Sequence, residues 1–373
     1  MKRFSISPRT DWKKKVESVG MDYHTLDGEL YWDESAYYEF TLKEIEIIEE
    51  ATNELYQLCL KAVDYILEKN LFYKIGIKEE NIPLIKTSWE RKDSSMYGRF
   101  DFIYDGGTPP KLLEFNADTP TSLLEASVVQ WYWMKDCFPD KDQFNSIHER
   151  LIDFWAKHNF RDTVYFSCVK NHDEDFGNIE YMRDVALQAG YETKRIFIDD
   201  IGWDSTIEKF VDLYNNPINI IFKLYPWEWL LEEKFGEYLS KSPWTIIEPA
   251  WKSILSNKGI LPILWELYPE HPNLLPAYFE NKFSDNYVQK PIFSREGNSI
   301  KIVKNGQTFE KEGTYGKEGF IYQSYHQIPE FDGYYTTIGS WIIEGESAGI
   351  GIREDKTEIT LDTCRFIPHI FTE

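Results

Sequence analysis

The sequence is poor in the features that announce several common protein classes. It has 4 cysteines in 373 residues, Cys59, Cys137, Cys168 and Cys364, with no CxxC and no Cys/His pair at zinc spacing. This excludes a disulfide framework and a structural zinc site, and fits a reduced, cytoplasmic protein. No run approaches the roughly 20 apolar residues of a membrane span. The N-terminus, MKRFSISPRTDWKKK, has no apolar core, so no secretory signal is expected. Basic residues are the minority, 41 Lys and Arg against 63 Asp and Glu, and they form no stripe. With a net charge of −22, nucleic acid is not an expected partner. There is no GxGxxG and no GK[ST], so neither a dinucleotide fold nor a Walker loop is expected. Internal repeats and low-complexity linkers are absent as well.

Aromatic residues are abundant, at 16% with 13 Trp, 24 Tyr and 24 Phe, within a hydrophobic content of 42%. Such a chain folds around a large core, and its length suggests two or three lobes. Residues 41–69 read as a helix, with Thr41 and Glu44 at capping-box spacing and Leu42, Ile45, Ile48, Leu55, Leu58, Ala62 and Ile66 at helical intervals. A second helix is expected over 122–136. Further on, strand 163–169, a helix around 178–189 stopped by Gly190, strand 193–198, a helix near 204–214 and strand 218–224 form a βαβαβ rhythm. That rhythm predicts a small parallel sheet. A helix is expected over 253–267, beginning near Ser256-Asn257-Lys258, and the last hundred or so residues are strand-rich.

The densest chemistry lies in YGRFDFIYDGGTPPKLLEFNADT, residues 97–119. It reads as two strands joined by a Gly/Pro turn. Alternation puts Arg99 and Asp101 on one face and Phe100, Phe102 and Tyr104 on the other. In the second strand Glu114 and Asn116 share a face, opposite Leu113, Phe115 and Ala117. If the strands pair, Asp101, Glu114 and Asn116 converge beside Arg99. Two carboxylates and an amide are hard oxygen ligands that suit Mg²⁺ holding a polyphosphate. Thr119 or Thr121 falls near the N-terminus of the next helix, where free N–H groups favour anions.

In YVQKPIFSREGNSI, Lys290 shares strand parity with Val288 and Ile292, on the apolar side. A buried ammonium needs an anion, and a nucleotide phosphate is a candidate. The Gly-containing turn from Ser294 to Ser299, with Gly297, could cover phosphates with backbone N–H groups. In GSWIIEGESAGIGIR, the alternation of Gly345, Gly349 and Gly351 predicts a closely packed strand that presents Arg353.

Taken together, GRFDFIYD, LLEFNADTPTS, EPAWK, SNK, YVQKPIFSREG, GSWIIEGESAGIGIRED and TCRFIPHIF resemble the synthetase domain of the glutathionylspermidine synthase family. These are ATP-grasp-type carboxylate–amine ligases, and the resemblance covers nearly the whole chain. It implies a mixed α+β or α/β fold with a small parallel-sheet, pre-ATP-grasp-like lobe. The expected lobes are 1–150, helical with the metal-binding hairpin, 151–245, a small α/β lobe, and 246–373, the nucleotide-binding lobe, within one synthetase unit over 1–373. The resemblance further implies Mg²⁺ ligands at Asp101, Glu114 and Asn116, phosphate and transition-state arginines at Arg99 and Arg353, and a hydroxyl at Thr119 that touches the reacting group. ATP would be held by Lys258 and Lys290, with Gln323 on the adenine side and Lys252 as the competitor of Lys258. Partners would be a small carboxylate and a small amine, glutathione-like and polyamine-like, joined through an acylphosphate by a monomer or a homodimer. The N-terminal amidase domain of the bifunctional members is not matched. The alternatives are a non-catalytic ATP/Mg²⁺ binder that kept the fold and a carbohydrate-active protein, the latter at odds with Lys290 and its Gly turn.

Overall fold

A computed structural model describes residues 1–26, 28–295, 297–360 and 364–372. Glu296 of the Gly297 turn and Thr363 of the TCRFIPHIF motif therefore lie outside the described residues. The first major element is the helix Leu42–Lys69. Its capping box forms as the spacing requires, with the Glu44 N–H donating to Thr41 Oγ1 at 3.3 Å and the Thr41 N–H donating to Glu44 Oε2 at 2.8 Å. Ile45, Ile48, Leu55, Leu58, Ala62 and Ile66 are buried, whereas Leu42 is exposed at the helix start. The helix packs its apolar stripe on a six-stranded sheet and on helix Ile260–Leu267.

That sheet is antiparallel. Its main path runs Arg365–Ile367, Glu346–Asp355, Tyr334–Ile343, Tyr97–Ile103, Lys111–Asn116, with Glu330–Phe331 pairing off Tyr334–Ile343. Strands from the first 150 residues and from the last 40 or so thus share one sheet. The 97–119 hairpin pairs with Arg99 opposite Asn116 and Asp101 opposite Glu114. Phe100 and Phe115 stack with ring centres 4.0 Å apart on the buried side. A register shift between Asp101 and Phe102 sets Phe102 opposite Leu112. Leu112 therefore enters the core with Phe115, and Leu113, expected there by simple alternation, is half-buried at the site. Gly345 also departs from expectation. It lies in the turn between Tyr334–Ile343 and Glu346–Asp355 at φ +88°, so only Gly349 and Gly351 belong to the strand.

The βαβ-like region forms a four-stranded parallel sheet in the order Thr245–Ile247, Ile220–Lys223, Val164–Cys168, Thr193–Phe197. Its helix Asp173–Gln188 starts earlier than the apolar periodicity indicates. His172 caps it, Nδ1 accepting from the Asp175 N–H at 3.2 Å, and three acidic residues fill its first turn. The helix expected near 204–214 is instead a hairpin, Gly202–Asp204 with Lys209–Val211. Asp204 turns the chain by accepting from the Thr206 N–H at 2.7 Å, and Trp203 and Phe210 pack edge to face across the pair.

A five-stranded antiparallel sheet carries Tyr287–Pro291 at its centre, between Phe320–Ser324 and Lys301–Lys304. The helix expected over 253–267 is broken into a 3₁₀ turn, Ala250–Ile254, and the helix Ile260–Leu267. Asn257 makes the break, its side chain accepting from the Gly259 N–H at 3.0 Å and donating to Ser253 O at 2.9 Å. The segment expected as helix 122–136 contains a π-helical turn, Glu125–Val129, before the α-helix Gln130–Cys137. Among the described residues no helix is long and apolar enough to cross a membrane.

Candidate active site

Where the three sheets meet there is a cavity of about 420 Å³. Ten of the residues singled out from the sequence line it: Arg99, Asp101, Glu114, Asn116, Thr119, Lys258, Lys290, Gly297, Gln323 and Arg353. The hairpin supplies the floor. Arg99 grips Asp101 in a fork, Nε to Oδ1 at 2.7 Å and Nη2 to Oδ2 at 3.1 Å. Its third nitrogen, Nη1, donates to Thr121 O at 2.7 Å and Ser122 Oγ at 3.2 Å. Gly339, directly across the sheet from Asp101, makes room for this arginine. A Cβ at Gly339 would sit 2.7 Å from Arg99 Cδ.

Arg353 reaches the same carboxylate from Glu346–Asp355, the strand beyond Tyr334–Ile343, with Nη2 to Asp101 Oδ2 at 2.6 Å. Burial by itself lowers the Arg353 pKa, but Asp101 outweighs it and holds the guanidinium above its ordinary value. Asn116 bridges the two carboxylates, its Nδ2 donating to Asp101 Oδ2 at 3.0 Å and to Glu114 Oε1 at 3.2 Å.

Lys258 closes the other side of Glu114, Nζ to Oε2 at 2.9 Å, and donates to Ser294 O at 2.9 Å. Lys290 is buried as its parity requires, donating to Gln323 Oε1 at 2.7 Å and to Leu113 O at 2.9 Å. Burial pushes the Lys290 ammonium down to about 8, with Glu114 and Asp101 opposing and Lys258 adding to the shift. Burial also acts on Glu114, upward, but Lys258 and Lys290 outweigh it and hold this carboxyl well below its ordinary range. Gln323 spends its amide N–H on Leu112 O at 3.0 Å, so it fixes Lys290 against the bulged strand.

Lys252 has a different place. It is buried away from the cavity, donating to Ser95 Oγ at 2.8 Å and Tyr97 O at 3.0 Å, with Glu248 at 3.4 Å. Glu248 in turn accepts from the Met96 and Tyr97 N–H groups at 2.8 and 3.1 Å. The EPAWK segment thus anchors the start of strand Tyr97–Ile103, and Lys258 is the lysine of this region that faces the cavity.

Sequence reasoning passed over one arginine. Arg295, in the Gly297 turn, lines the cavity, with Nη1 donating to Thr119 Oγ1 at 2.8 Å and Nη2 to Glu228 Oε1 at 2.9 Å. Its guanidinium lies over the Trp229 ring at 5.5 Å. The signal available for it was its place in SREG, two residues before Gly297. The Thr119 bend is held from below by Asp118, fully buried against Lys223 at 2.6 Å and accepting from the Trp227 N–H at 2.9 Å. A second stretch of wall, Tyr31, His172, Glu174 and Asp175, carried no motif at all.

The donor set fits Mg²⁺ in a particular way. Among the described residues no group of three His, Cys, Asp or Glu is placed to hold a metal ion. The oxygens present, from Asp101, Glu114 and Asn116, are hard ligands, but both carboxylates already face cations. Arg99, Arg353, Lys258 and Lys290 outnumber the two carboxylates. The cavity floor is therefore net positive and suits a polyanion with a divalent cation in its company, while Glu174, Asp175 and Glu358 put negative charge elsewhere on the wall.

The matches to known proteins follow the same lines. The family model for glutathionylspermidine synthase preATP-grasp matches residues 3–372. A Haemophilus influenzae protein bearing the name acid–amine ligase is 42% identical, with 100% of both chains covered. The trypanothione synthetase of Crithidia fasciculata and the bifunctional glutathionylspermidine synthetase/amidase of Escherichia coli are each 27% identical over 93% of this chain. The chain spans 56% and 61% of the length of those two proteins. Among solved structures, a glutathione synthetase-like effector from Globodera pallida superimposes with a TM-score of 0.62 at 12% identity, covering 97% of this chain and 96% of its own. That likeness shows a shared mixed α/β fold. With the match running from residue 3 to residue 372, the chain belongs to the glutathionylspermidine synthase preATP-grasp family, whose named members are ligases.

Proposed function

We propose that the protein is an ATP-dependent carboxylate–amine ligase that forms an amide through an acylphosphate, with a glutathione-like peptide as the acid and a polyamine-like amine. One observation carries the reading. A single cavity collects two lysines, three arginines and an oxygen-ligand set of Asp101, Glu114 and Asn116. Family membership and the names of the relatives support the activity class.

In this reading Lys258 and Lys290 hold the nucleotide phosphates, and Asp101, Glu114 and Asn116 would hold Mg²⁺. The metal, when bound, neutralises the phosphate oxygens between which charge moves during phosphoryl transfer. Arg353 and Arg99 lie on the oxygen-rich floor, where transfer of the γ-phosphoryl group to a substrate carboxylate needs compensating charge. Arg295 and the Thr119 hydroxyl face the same space from the Gly297 turn and the bend. The turn also shields the acylphosphate from water, because its hydrolysis wastes ATP.

The test is phosphate release from ATP·Mg²⁺ with paired acids and amines, beginning with glutathione and spermidine, and mass analysis of the product. An amide formed in step with ADP is expected. ATP turnover that never depends on an acid or an amine would overturn the reading.

A further inference from the structure

The chemistry proposed above leaves a proton without a destination. A polyamine arrives as an ammonium and must shed a proton before it attacks an acylphosphate. The arginines of the cavity floor do not accept one, its carboxylates are engaged by cations, and Lys258 and Lys290 are held by Glu114, Gln323 and backbone carbonyls. Glu125 stands apart from them. It opens the π-helical turn three residues beyond Ser122, and its exposure is 0%. π turns of this kind occur often at functional sites. Of the buried carboxylates described, it alone has neither a cation beside it nor a hydrogen-bond partner at good geometry for either oxygen. An isolated buried carboxylate is costly, so a carboxyl left this way is held in reach of two protonation states.

Its neighbours connect it to the cavity. Tyr23 and Tyr31 hydroxyls approach it, and Glu174 acts on it electrostatically. Tyr31 and Glu174 are also cavity wall, next to His172, Asp175 and Cys364. Burial, then Glu174, push the Glu125 carboxyl up to about 8, with the tyrosine hydroxyls and its own backbone opposing. That lies near the pH at which a proton acceptor works best.

We propose that Glu125, acting through the Tyr31 hydroxyl, receives the proton released by the amine nucleophile. The inference rests on the ligase reading. In the step, the spermidine ammonium passes one proton to the Tyr31 oxygen as the Tyr31 hydroxyl proton moves to the Glu125 carboxylate, which frees the nitrogen lone pair. That lone pair forms the C–N bond, the C–O bond to the phosphate breaks with its electron pair on the phosphate, and the second nitrogen proton leaves on inorganic phosphate. Hydroxylamine, already neutral, needs no first transfer. Tyr31 is the group that meets substrate, and Glu125 is its positioning partner and proton store.

The experiment uses the full chain with ATP, Mg²⁺ and glutathione, and compares spermidine with hydroxylamine, a small nucleophile that is uncharged at neutral pH. Glu125→Gln is expected to lower amide formation with spermidine by about 10²-fold, the usual scale of general base catalysis, while hydroxamate formation persists. The rise of the spermidine rate toward pH 8 is expected to disappear in the same variant. Tyr31→Phe should give the same split, and it carries the test if Glu125→Gln does not fold. The proposal is overturned if both variants keep the spermidine rate, or lose both nucleophiles together. It is also overturned if His172→Asn, and not Glu125→Gln, shows the selective loss. Wild-type protein that forms no hydroxamate with glutathione or other γ-glutamyl peptides fails the ligase reading instead.

Discussion

Asp101→Asn separates the roles that the geometry gives to this carboxylate. Asp101 is 3% exposed and holds Arg99 by two hydrogen bonds and Arg353 by a third contact. Asparagine preserves the shape and removes the charge that two buried guanidinium groups depend on. Breaking a buried pair costs about 3 kcal/mol at the low end of the known range. With an unfolding entropy of about 2 cal/mol/K per residue over 373 residues, that loss lowers Tm by about 4 °C. Ligand binding should change in the opposite sense for free ATP. The variant cavity gains one unit of positive charge, so ATP with a chelator should bind at least as well as to wild type. ATP with Mg²⁺ should lose most of the advantage that the metal gives. Calorimetric titration of wild type and variant, each with and without Mg²⁺, measures this directly. A variant with unaltered Tm, or one in which Mg²⁺ strengthens ATP binding as much as in wild type, refutes the reasoning about Asp101.

Other substitutions probe the remaining groups. Lys290→Met should weaken ATP binding, and it should also change the pH dependence of stability. The folded-state pKa of Lys290 is depressed from 10.5 to about 8, so the penalty of its burial is present below pH 8 and is relieved as pH rises from 8 to 10.5. Wild-type stability should therefore gain on the order of 3 kcal/mol over that window relative to Lys290→Met, read by urea denaturation. Arg353→Ala should lower kcat by about 10² to 10³ while ATP affinity, by calorimetry, changes much less. Loss of affinity at unchanged kcat would assign Arg353 to nucleotide binding. Gly339→Ala should displace Arg99, costing about 1 to 3 kcal/mol of stability and reducing turnover. Wild-type kcat in that variant would show that Arg99 needs no such clearance.

Much of the site was legible because local patterns met their tertiary partners. Alternation in Tyr97–Ile103 placed Arg99 and Asp101 correctly, and strand parity placed Lys290 in the interior. Alternation failed at Leu113, where a bulge shifts the register, an event without a signature in that strand. The helix expected at 204–214 failed because Trp203 and Phe210 bury themselves across a hairpin, which periodicity does not report. The Tyr31, His172 and Glu174 wall was invisible because these residues come together only when the segment before the long helix meets the parallel-sheet region.

The six-stranded sheet has a consequence for synthesis. Strand Tyr97–Ile103 lies between Lys111–Asn116, its near neighbour in sequence, and Tyr334–Ile343, more than two hundred residues away. A nascent chain that stops short of Tyr334 already contains Asp101, Glu114, Lys258 and Lys290, but neither Arg353 nor the glycine that seats Arg99. The arginine proposed to drive phosphoryl transfer arrives with the strands that complete the sheet. In the proposed function, completion of the fold and acquisition of transfer chemistry are then one event, and an unfinished chain would have no means of spending ATP.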